Sequence, residues 1–259
     1  MGKDSVREPR ITDEGVAKLR ERIGIPESHP VPPHYRCPNT DAFRIFANAI
    51  GDDNPLYCDP DYAQGTRWGT LIAAPTMIWT FHGELDPPRK LKAELAKKLP
   101  GDPLRGAGEL QADVPSEFFR PMRLGDRIYD RGSFTGLADK RSFWGGRAVH
   151  ITRSWVGFNQ KREITHLLRG MWIRGERRPV SEVKEPQPPP EPYSQAELDE
   201  IDACYASEID TRRGATPRYF EDVAVGEKLP RLVKGPIRVT DLILFHAGFG
   251  QSFPTYAHR

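Results

Sequence analysis

Hydrophobic positions in the N-terminal third of the chain recur every three or four residues, which is the spacing of a buried helix face. Two such stripes predict a helix over residues 12–23 and a second helix from Asn39 or Thr40 to Ile50, with Thr12 and Thr40 as N-caps. A third apolar run predicts a buried helix over residues 76–82. The first part of the chain is therefore expected to be helical.

From Glu109 onward the hydrophobic period changes to two, which is typical of strands. The pattern predicts four strands, over residues 116–120, 127–137, 143–159 and 163–174. Short turns such as Asn159-Gln160-Lys161 join them, so an antiparallel meander is expected. The polar segment 83–108, with a Lys-rich helix over 89–99, is interpreted as an insertion or lid.

A proline-rich stretch follows the predicted sheet over residues 176–217, and it contains one helical pattern at 194–209. Beyond it, residues 235–240 predict a strand that leads into a helix capped by Thr240. These patterns divide the chain into an N-terminal helix and connector, a folded domain, a linker, and a further segment: residues 1–35, 36–175, 176–217 and 218–259.

The last segment is too short to close a core of its own. Its apolar side chains at Leu242, Ile243, Phe245 and Phe249 need cover from outside the segment. We therefore expect the chain to self-associate or to recruit a partner.

Composition and charge exclude several classes of function. Lys and Arg number 38 against 36 Asp and Glu, a net charge of 38 − 36 = +2, so a concentrated basic face for nucleic acid or anionic membrane is not expected. No apolar run is long enough for a transmembrane helix, and the N-terminus lacks the apolar core of a secretory signal. Three scattered cysteines give neither a disulfide framework nor a metal-ligand spacing. We expect a cytoplasmic protein without a metal or redox cofactor.

Two segments of the chain are similar to each other. Residues 36–57 and 238–256 both run from an Arg through a Thr-Asp pair and an apolar helix pattern to a Gly-x3-Pro-x-Tyr ending. The registers differ by one residue within the helix. This pattern predicts a duplicated unit whose second copy begins near residue 218.

The first of these segments resembles a known family. The run Gly51-Asp52-Asp53-Asn54-Pro55-Leu56-Tyr57-Cys58-Asp59-Pro60-Asp61-Tyr62-Ala63 is similar to the Gly-Asp-x-Asn-Pro-x-His-x-Asp-Pro-x-x-Ala loop of MaoC-like dehydratases and (R)-specific enoyl-CoA hydratases in their double-hotdog form. Residues 68–76 resemble the segment by which that family enters its central helix, and residues 219–226 resemble the opening of a MaoC unit.

The resemblance implies an α+β hotdog fold, in which an antiparallel sheet wraps round a central helix, with the beginning of a second hotdog repeat. It implies an acyl-CoA substrate, no cofactor, and reversible addition of water to a 2-enoyl thioester by an Asp/His pair acting as general acid and base. Backbone amides at the central helix would polarise the thioester carbonyl. The implied substrate-binding positions are Asn54, Trp68, Gly69, Thr70, Ala74, Pro75 and Thr76.

The chain departs from the family at the catalytic pair. The Asp falls on Asp52, but the His falls on Tyr57, and the second unit has Gln251 and Tyr256 at these positions. A phenol has a pKa of about 10 against about 6.5 for imidazole, so Tyr57 is a poor proton shuttle at neutral pH.

Each candidate residue also has a structural interpretation. Asp52 and Asn54 suit a turn after a helix, Tyr57 suits a pocket wall, and the glycine-containing approach to residue 76 suits a tight turn. Single histidines beside apolar runs, at His82, His150 and His166, are interpreted as structural.

Three functions remain open at this point. The chain is a MaoC-like hydratase/dehydratase or a subunit of one, a non-catalytic acyl-CoA-binding subunit beside a partner that has the Asp/His pair, or a structural partner without a ligand. The resemblance implies a homo- or hetero-oligomer with another hotdog chain.

Overall fold

A computed structural model of the chain describes residues 11–27, 33–81, 90–142, 146–176, 188, 191–211, 213–214, 216–230 and 232–250. The chain divides into two compact units. The first comprises residues 1–184 with 244–259, and the second comprises residues 185–243.

An antiparallel sheet dominates the first unit. Its strands are β1 (Pro26–Glu27), β2 (Gly108–Asp113), β3 (Ser116–Phe118), β4 (Tyr129–Ser142), β5 (Gly146–Phe158) and β6 (Ile164–Gly175). They lie in the order β1-β4-β5-β6-β2, and β3 also pairs with β6. The predicted meander is confirmed in β4, β5 and β6, which pair along almost their whole lengths.

The hydrophobic pattern does not predict two of the strands, β1 and β2. β1 has only two residues, too few for a periodic signal, and pairs with Gly132 and Ser133 of β4. β2 begins at Gly108, at the end of the segment interpreted as a lid, and pairs with β6. The predicted first strand at 116–120 is therefore the third. Leu104 is also buried, so the end of this segment contributes to the core instead of forming only a lid.

Helix α1 (Asp13–Arg20) begins at the predicted cap, since the Thr12 hydroxyl accepts a hydrogen bond from the Gly15 amide at 3.0 Å. Helix α2 (Thr40–Ala49) is confirmed, but its cap is Asn39, whose Oδ1 accepts from the Ala42 amide at 2.8 Å. Thr40 was the wrong cap because it already lies inside the helix.

The predicted helix over 76–82 is instead a 3-10 helix, Pro75–Thr80. Two short helices, α3 (Pro55–Cys58) and α4 (Pro60–Gln64), precede it. The predicted Lys-rich helix is reduced within the described residues to α5 (Ala93–Ala96).

Helix α6 (Gln195–Thr211) confirms the helical pattern within the proline-rich stretch. Helix α7 (Val239–Phe249) is also confirmed, but the predicted strand before it is wrong, because residues 232–238 pair with no described strand. Thr240 lies within α7 and is not its cap; the Arg238 amide donates to the Asp241 carboxylate at 2.7 Å instead.

Two apolar clusters cover one face of the sheet. The site cluster joins α2, the 3-10 helix and the sheet, and contains Ala42, Phe43, Phe46, Ala63, Leu71, Ala73, Ala74, Met77, Ile78, Phe81, Met122, Ile128 and Leu168. The α1 cluster contains Ile11, Val16, Leu19, Leu104, Phe134, Val149 and Ile151. The face that packs against both clusters is called the inner face.

The second unit has no buried residue among those described. Its apolar side chains face solvent, with Phe220 at 90%, Ile237 at 76% and Leu229 at 75% exposure.

Candidate functional site

The loop after α2 is built by its own polar side chains. The Asp52 amide donates to the Ala47 carbonyl at 2.8 Å, and the Asp52 carboxylate accepts from the Asn54 amide at 3.0 Å. The Asn54 side chain in turn accepts from the Leu56 amide at 3.0 Å and caps α3. Both residues therefore brace the turn, as their structural interpretation predicts. The Asp52 side chain is half-buried, whereas Asn54 is exposed.

Tyr57 lies on α3 and packs its half-buried ring against the site cluster. Burial raises the pKa of its phenol above the usual value of 10, and the negative charge of Asp52 raises it further. Both causes favour the neutral phenol. Asp52 and Tyr57 are thus electrostatic neighbours, but Tyr57 stays protonated across the neutral pH range.

The expected substrate-binding positions between residues 68 and 76 lie in two different places in the structure. Ala74 is buried in the site cluster, and the Ile72 amide donates to the Leu56 carbonyl at 3.4 Å, so this part of the segment adjoins the Tyr57 loop. Trp68, Gly69 and Thr70 lie in a separate turn. There the Gly69 amide donates to the Thr66 carbonyl at 3.0 Å and the Arg67 guanidinium stacks on Trp68.

The amides expected to polarise a thioester carbonyl are few. The Ala73 amide already donates to the Met122 carbonyl at 3.0 Å, and Pro75 has no amide hydrogen. Pro75 and Thr76 are exposed at the start of a 3-10 helix of six residues. The geometry therefore gives Ala74 a packing role and leaves Pro75 and Thr76 at the surface.

Two aromatic residues of the site were missed as site residues. Trp79 and Trp155 are half-buried and pack against the same cluster as Tyr57. Nothing in the sequence pattern separates a ring in the core from a ring that borders a site.

His166 is buried on β6, where its Nδ1 lies 2.9 Å from the Thr165 hydroxyl. Burial lowers the pKa of this imidazole to about 4, although the charge of Asp130 acts in the opposite direction. His150 is half-buried, with its pKa also lowered by burial. His82, Gln251 and Tyr256 lie outside the described residues.

Among the described residues, no three His, Cys, Asp or Glu side chains lie close enough together to hold a metal ion. No helix within the described ranges combines the length and the apolar composition that a membrane span requires.

Comparison with known proteins agrees with this architecture. Residues 39–163 match the family described as the FAS1-like, dehydratase domain region. This part of the chain is a dehydratase-type region with homology to MaoC-like hotdog proteins. The predicted family and the α+β hotdog class are thereby confirmed for it.

Two curated relatives are similar to parts of this dehydratase region. An (R)-specific enoyl-CoA hydratase of Rhodospirillum rubrum is 30% identical over 99 residues, which are 38% of this chain and 59% of that protein. A UPF0336 protein of Streptomyces avermitilis is 31% identical over 88 residues, which are 33% of this chain and 52% of that protein. The chain thus spans little more than half the length of these relatives.

A solved structure titled MaoC-like dehydratase has the same fold, with a TM-score of 0.54 and 20% identity. The match covers 91% of this chain and 68% of that one. At this identity the likeness establishes the fold alone.

Proposed function

We propose that this chain is the acyl-thioester-binding subunit of a MaoC-like hydratase/dehydratase, and that another hotdog unit supplies the Asp/His pair. One observation favours this assignment: the residue at the histidine position is Tyr57, with a pKa raised by burial and by Asp52. A group that remains protonated cannot take a proton from water at neutral pH.

The site retains features that suit binding. Tyr57 presents a phenol at the edge of an apolar cluster. A neutral phenol can donate a hydrogen bond while its ring lines a pocket. The cluster beneath it contains Ala73, Ala74 and Met77, which suit the apolar part of an acyl group. The substrate class of this proposal is therefore a CoA thioester, and the chain needs no metal or redox cofactor to bind it.

Calorimetric titration with butyryl-CoA tests the binding part of the proposal, because this saturated thioester cannot be hydrated. We expect saturable binding by the purified chain and weaker binding by Ala74→Phe, whose ring would fill space beside the Tyr57 loop. The exposed Ala247→Ser is the matched control and should bind as the wild type does. Absence of binding by the wild type would overturn the proposal.

Catalysis by the chain itself is the second candidate function. It is favoured by one carboxylate, the half-buried Asp52 beside Tyr57, and by similarity to a relative named as an enoyl-CoA hydratase. In that case the wild type hydrates crotonyl-CoA and Asp52→Asn loses at least 100-fold of the rate, in the usual range for a general acid or base. Turnover by the wild type with full sensitivity to Asp52→Asn would replace the binding assignment.

A further inference from the structure

A cavity of about 750 Å³ lies where β4 ends and β5 begins, and it is partly open to solvent. The start of α1 and both strands contribute its lining residues, which are Asp13, Asp139, Lys140, Arg141, Gly146 and Arg147. Small-molecule sites in proteins usually have volumes of about 300–1,000 Å³, so this cavity is large enough for a ligand. It is called the hairpin cavity.

The hairpin cavity is separate from the Tyr57 loop. Arg147 precedes Trp155 on β5 by eight residues, which at about 3.3 Å per residue is roughly 26 Å along the strand. Trp155 packs against the site cluster, and so does Tyr57. A ligand in the hairpin cavity therefore lies towards the opposite end of the sheet, and its binding does not depend on the proposed function.

Arg147 is fixed in place by several partners. Its Nε and Nη2 donate to the two carboxylate oxygens of Asp139 at 3.0 and 2.7 Å. Its Nη1 forms an ion pair with Asp13 at 2.7 Å and donates to the Ile11 carbonyl at 3.2 Å. The Arg147 amide also donates to the Glu176 carboxylate at 2.8 Å. Both carboxylates that line the cavity thus bind one guanidinium.

A second arginine lies opposite the first. Arg141 pairs with Arg147 in the register of β4 and β5, so both side chains leave the inner face of the sheet, as that of Val149 does. Like charges directly opposite each other destabilise a sheet. Arg141 is exposed and has neither a hydrogen-bond nor an ion-pair partner within the described ranges. Its charge is therefore left for an anion from outside the chain to offset.

The rest of the lining favours an anion as well. Three cationic residues stand against two carboxylates, an excess of one positive charge. Gly146 has a φ of +84°, and a Cβ there would come within 2.6 Å of the Glu176 carboxylate that holds Arg147. A side chain at this position would therefore disturb the fixed arginine.

We propose that the hairpin cavity binds a small phosphorylated anion of up to nucleotide size, held by Arg141 beside the fixed guanidinium of Arg147. The planar fork of an arginine matches two phosphate oxygens, which suits this ligand better than a single-point anion. The described lining residues include no aromatic side chain on which a base could stack. Recognition therefore rests on the phosphate groups and not on the base.

Calorimetric titration of the full chain with ADP, pyrophosphate and adenosine tests the proposal. We expect saturable binding of ADP and pyrophosphate and no binding of adenosine, which has no phosphate. Arg141→Gln should weaken ADP binding by about tenfold, the value of one charge-assisted hydrogen bond. Arg141→Lys, which keeps the charge without the fork, should lose less.

Arg127→Gln is the matched control, because it removes the same charge from an exposed residue that does not line the cavity. It should bind ADP as the wild type does. Absence of ADP and pyrophosphate binding by the wild type would overturn the proposal. Equal weakening by Arg141→Gln and Arg127→Gln would also overturn it, since the effect would then be one of net charge.

A titration with butyryl-CoA in saturating ADP distinguishes two sources of the phosphate. If the affinity for butyryl-CoA is unchanged while ADP binding depends on Arg141, the ligand of the hairpin cavity is a free phosphorylated molecule. If ADP competes and Arg141→Gln also weakens butyryl-CoA, the cavity takes the phosphates of the CoA thioester. Loss of butyryl-CoA binding alone would contradict the proposed function and leave the hairpin cavity as assigned.

Discussion

At the scale of single residues, the proposed function depends on Tyr57, which stands where the family that the loop resembles has a His. Burial and Asp52 act in the same direction on the phenol and keep it neutral. The sequence alone placed Asp52 and Tyr57 in one loop, and the structure agrees. The sequence also indicates that Asp52 and Asn54 suit a turn, but it does not identify the amides of Asn54 and Leu56 as their donors, since hydrogen-bond partners depend on backbone geometry.

The titration of Tyr57 gives a direct prediction. The tyrosinate absorbance that wild type shows and Tyr57→Phe lacks should have a midpoint above pH 10. Because the folded pKa is raised, this group stabilises the fold fully below the unfolded pKa, and the stabilisation is lost as pH rises through the folded pKa. A midpoint at or below 10 would contradict the raised pKa.

His166 gives a prediction on the acid side. Its pKa of about 4 lies below the usual 6.5, so the unfolded chain binds a proton that the folded chain does not between these values. The free energy of unfolding should therefore fall as pH drops from 6.5 towards 4, by roughly 3 kcal/mol at most from this residue.

Urea unfolding of wild type and His166→Gln at pH 7 and pH 5 measures this difference. The variant removes the titrating group, so its stability should change less between the two pH values. An equal pH dependence in both proteins would show that His166 does not titrate as described.

At the scale of elements, periodicity predicted α1, α2, α6, α7 and the long strands, because each has several turns or residue pairs of regular pattern. It failed for β1, with two residues, and for the 3-10 helix, whose extent depends on packing between α2 and the sheet. The strand expected before α7 failed for the opposite reason: Ile237 and Val239 suit a strand, but no described strand pairs with them.

The last turn of α7 packs closely on α2. A Cβ at Gly248 would overlap that of Ala49, and the Phe249 ring lies 6.0 Å from that of Phe46. Gly248→Ala should therefore lower the free energy of unfolding by about 1–3 kcal/mol through overpacking. Urea unfolding measures it, with exposed Ala247→Ser expected within about 0.5 kcal/mol of wild type. A neutral Gly248→Ala would mean that this contact is loose.

At the scale of the whole molecule, the exposed apolar residues of the second unit predict association. Apolar surface of this extent is rarely left in water by a stable monomer. Sedimentation of the purified chain should therefore show a dimer or larger species, and Leu242→Glu with Ile243→Glu should shift it towards monomer. A wild type that is monomeric at all accessible concentrations would contradict this prediction.

We propose that this chain binds the thioester while another hotdog unit catalyses the reaction. Hydration of crotonyl-CoA by the purified wild-type chain is the decisive test of this proposal. The reaction is followed as loss of enoyl-thioester absorbance. The proposed function predicts no rate above the uncatalysed background from a preparation that binds butyryl-CoA. A wild-type rate well above background that Asp52→Asn abolishes would contradict it, because this chain would then complete the proton transfer without a partner's histidine.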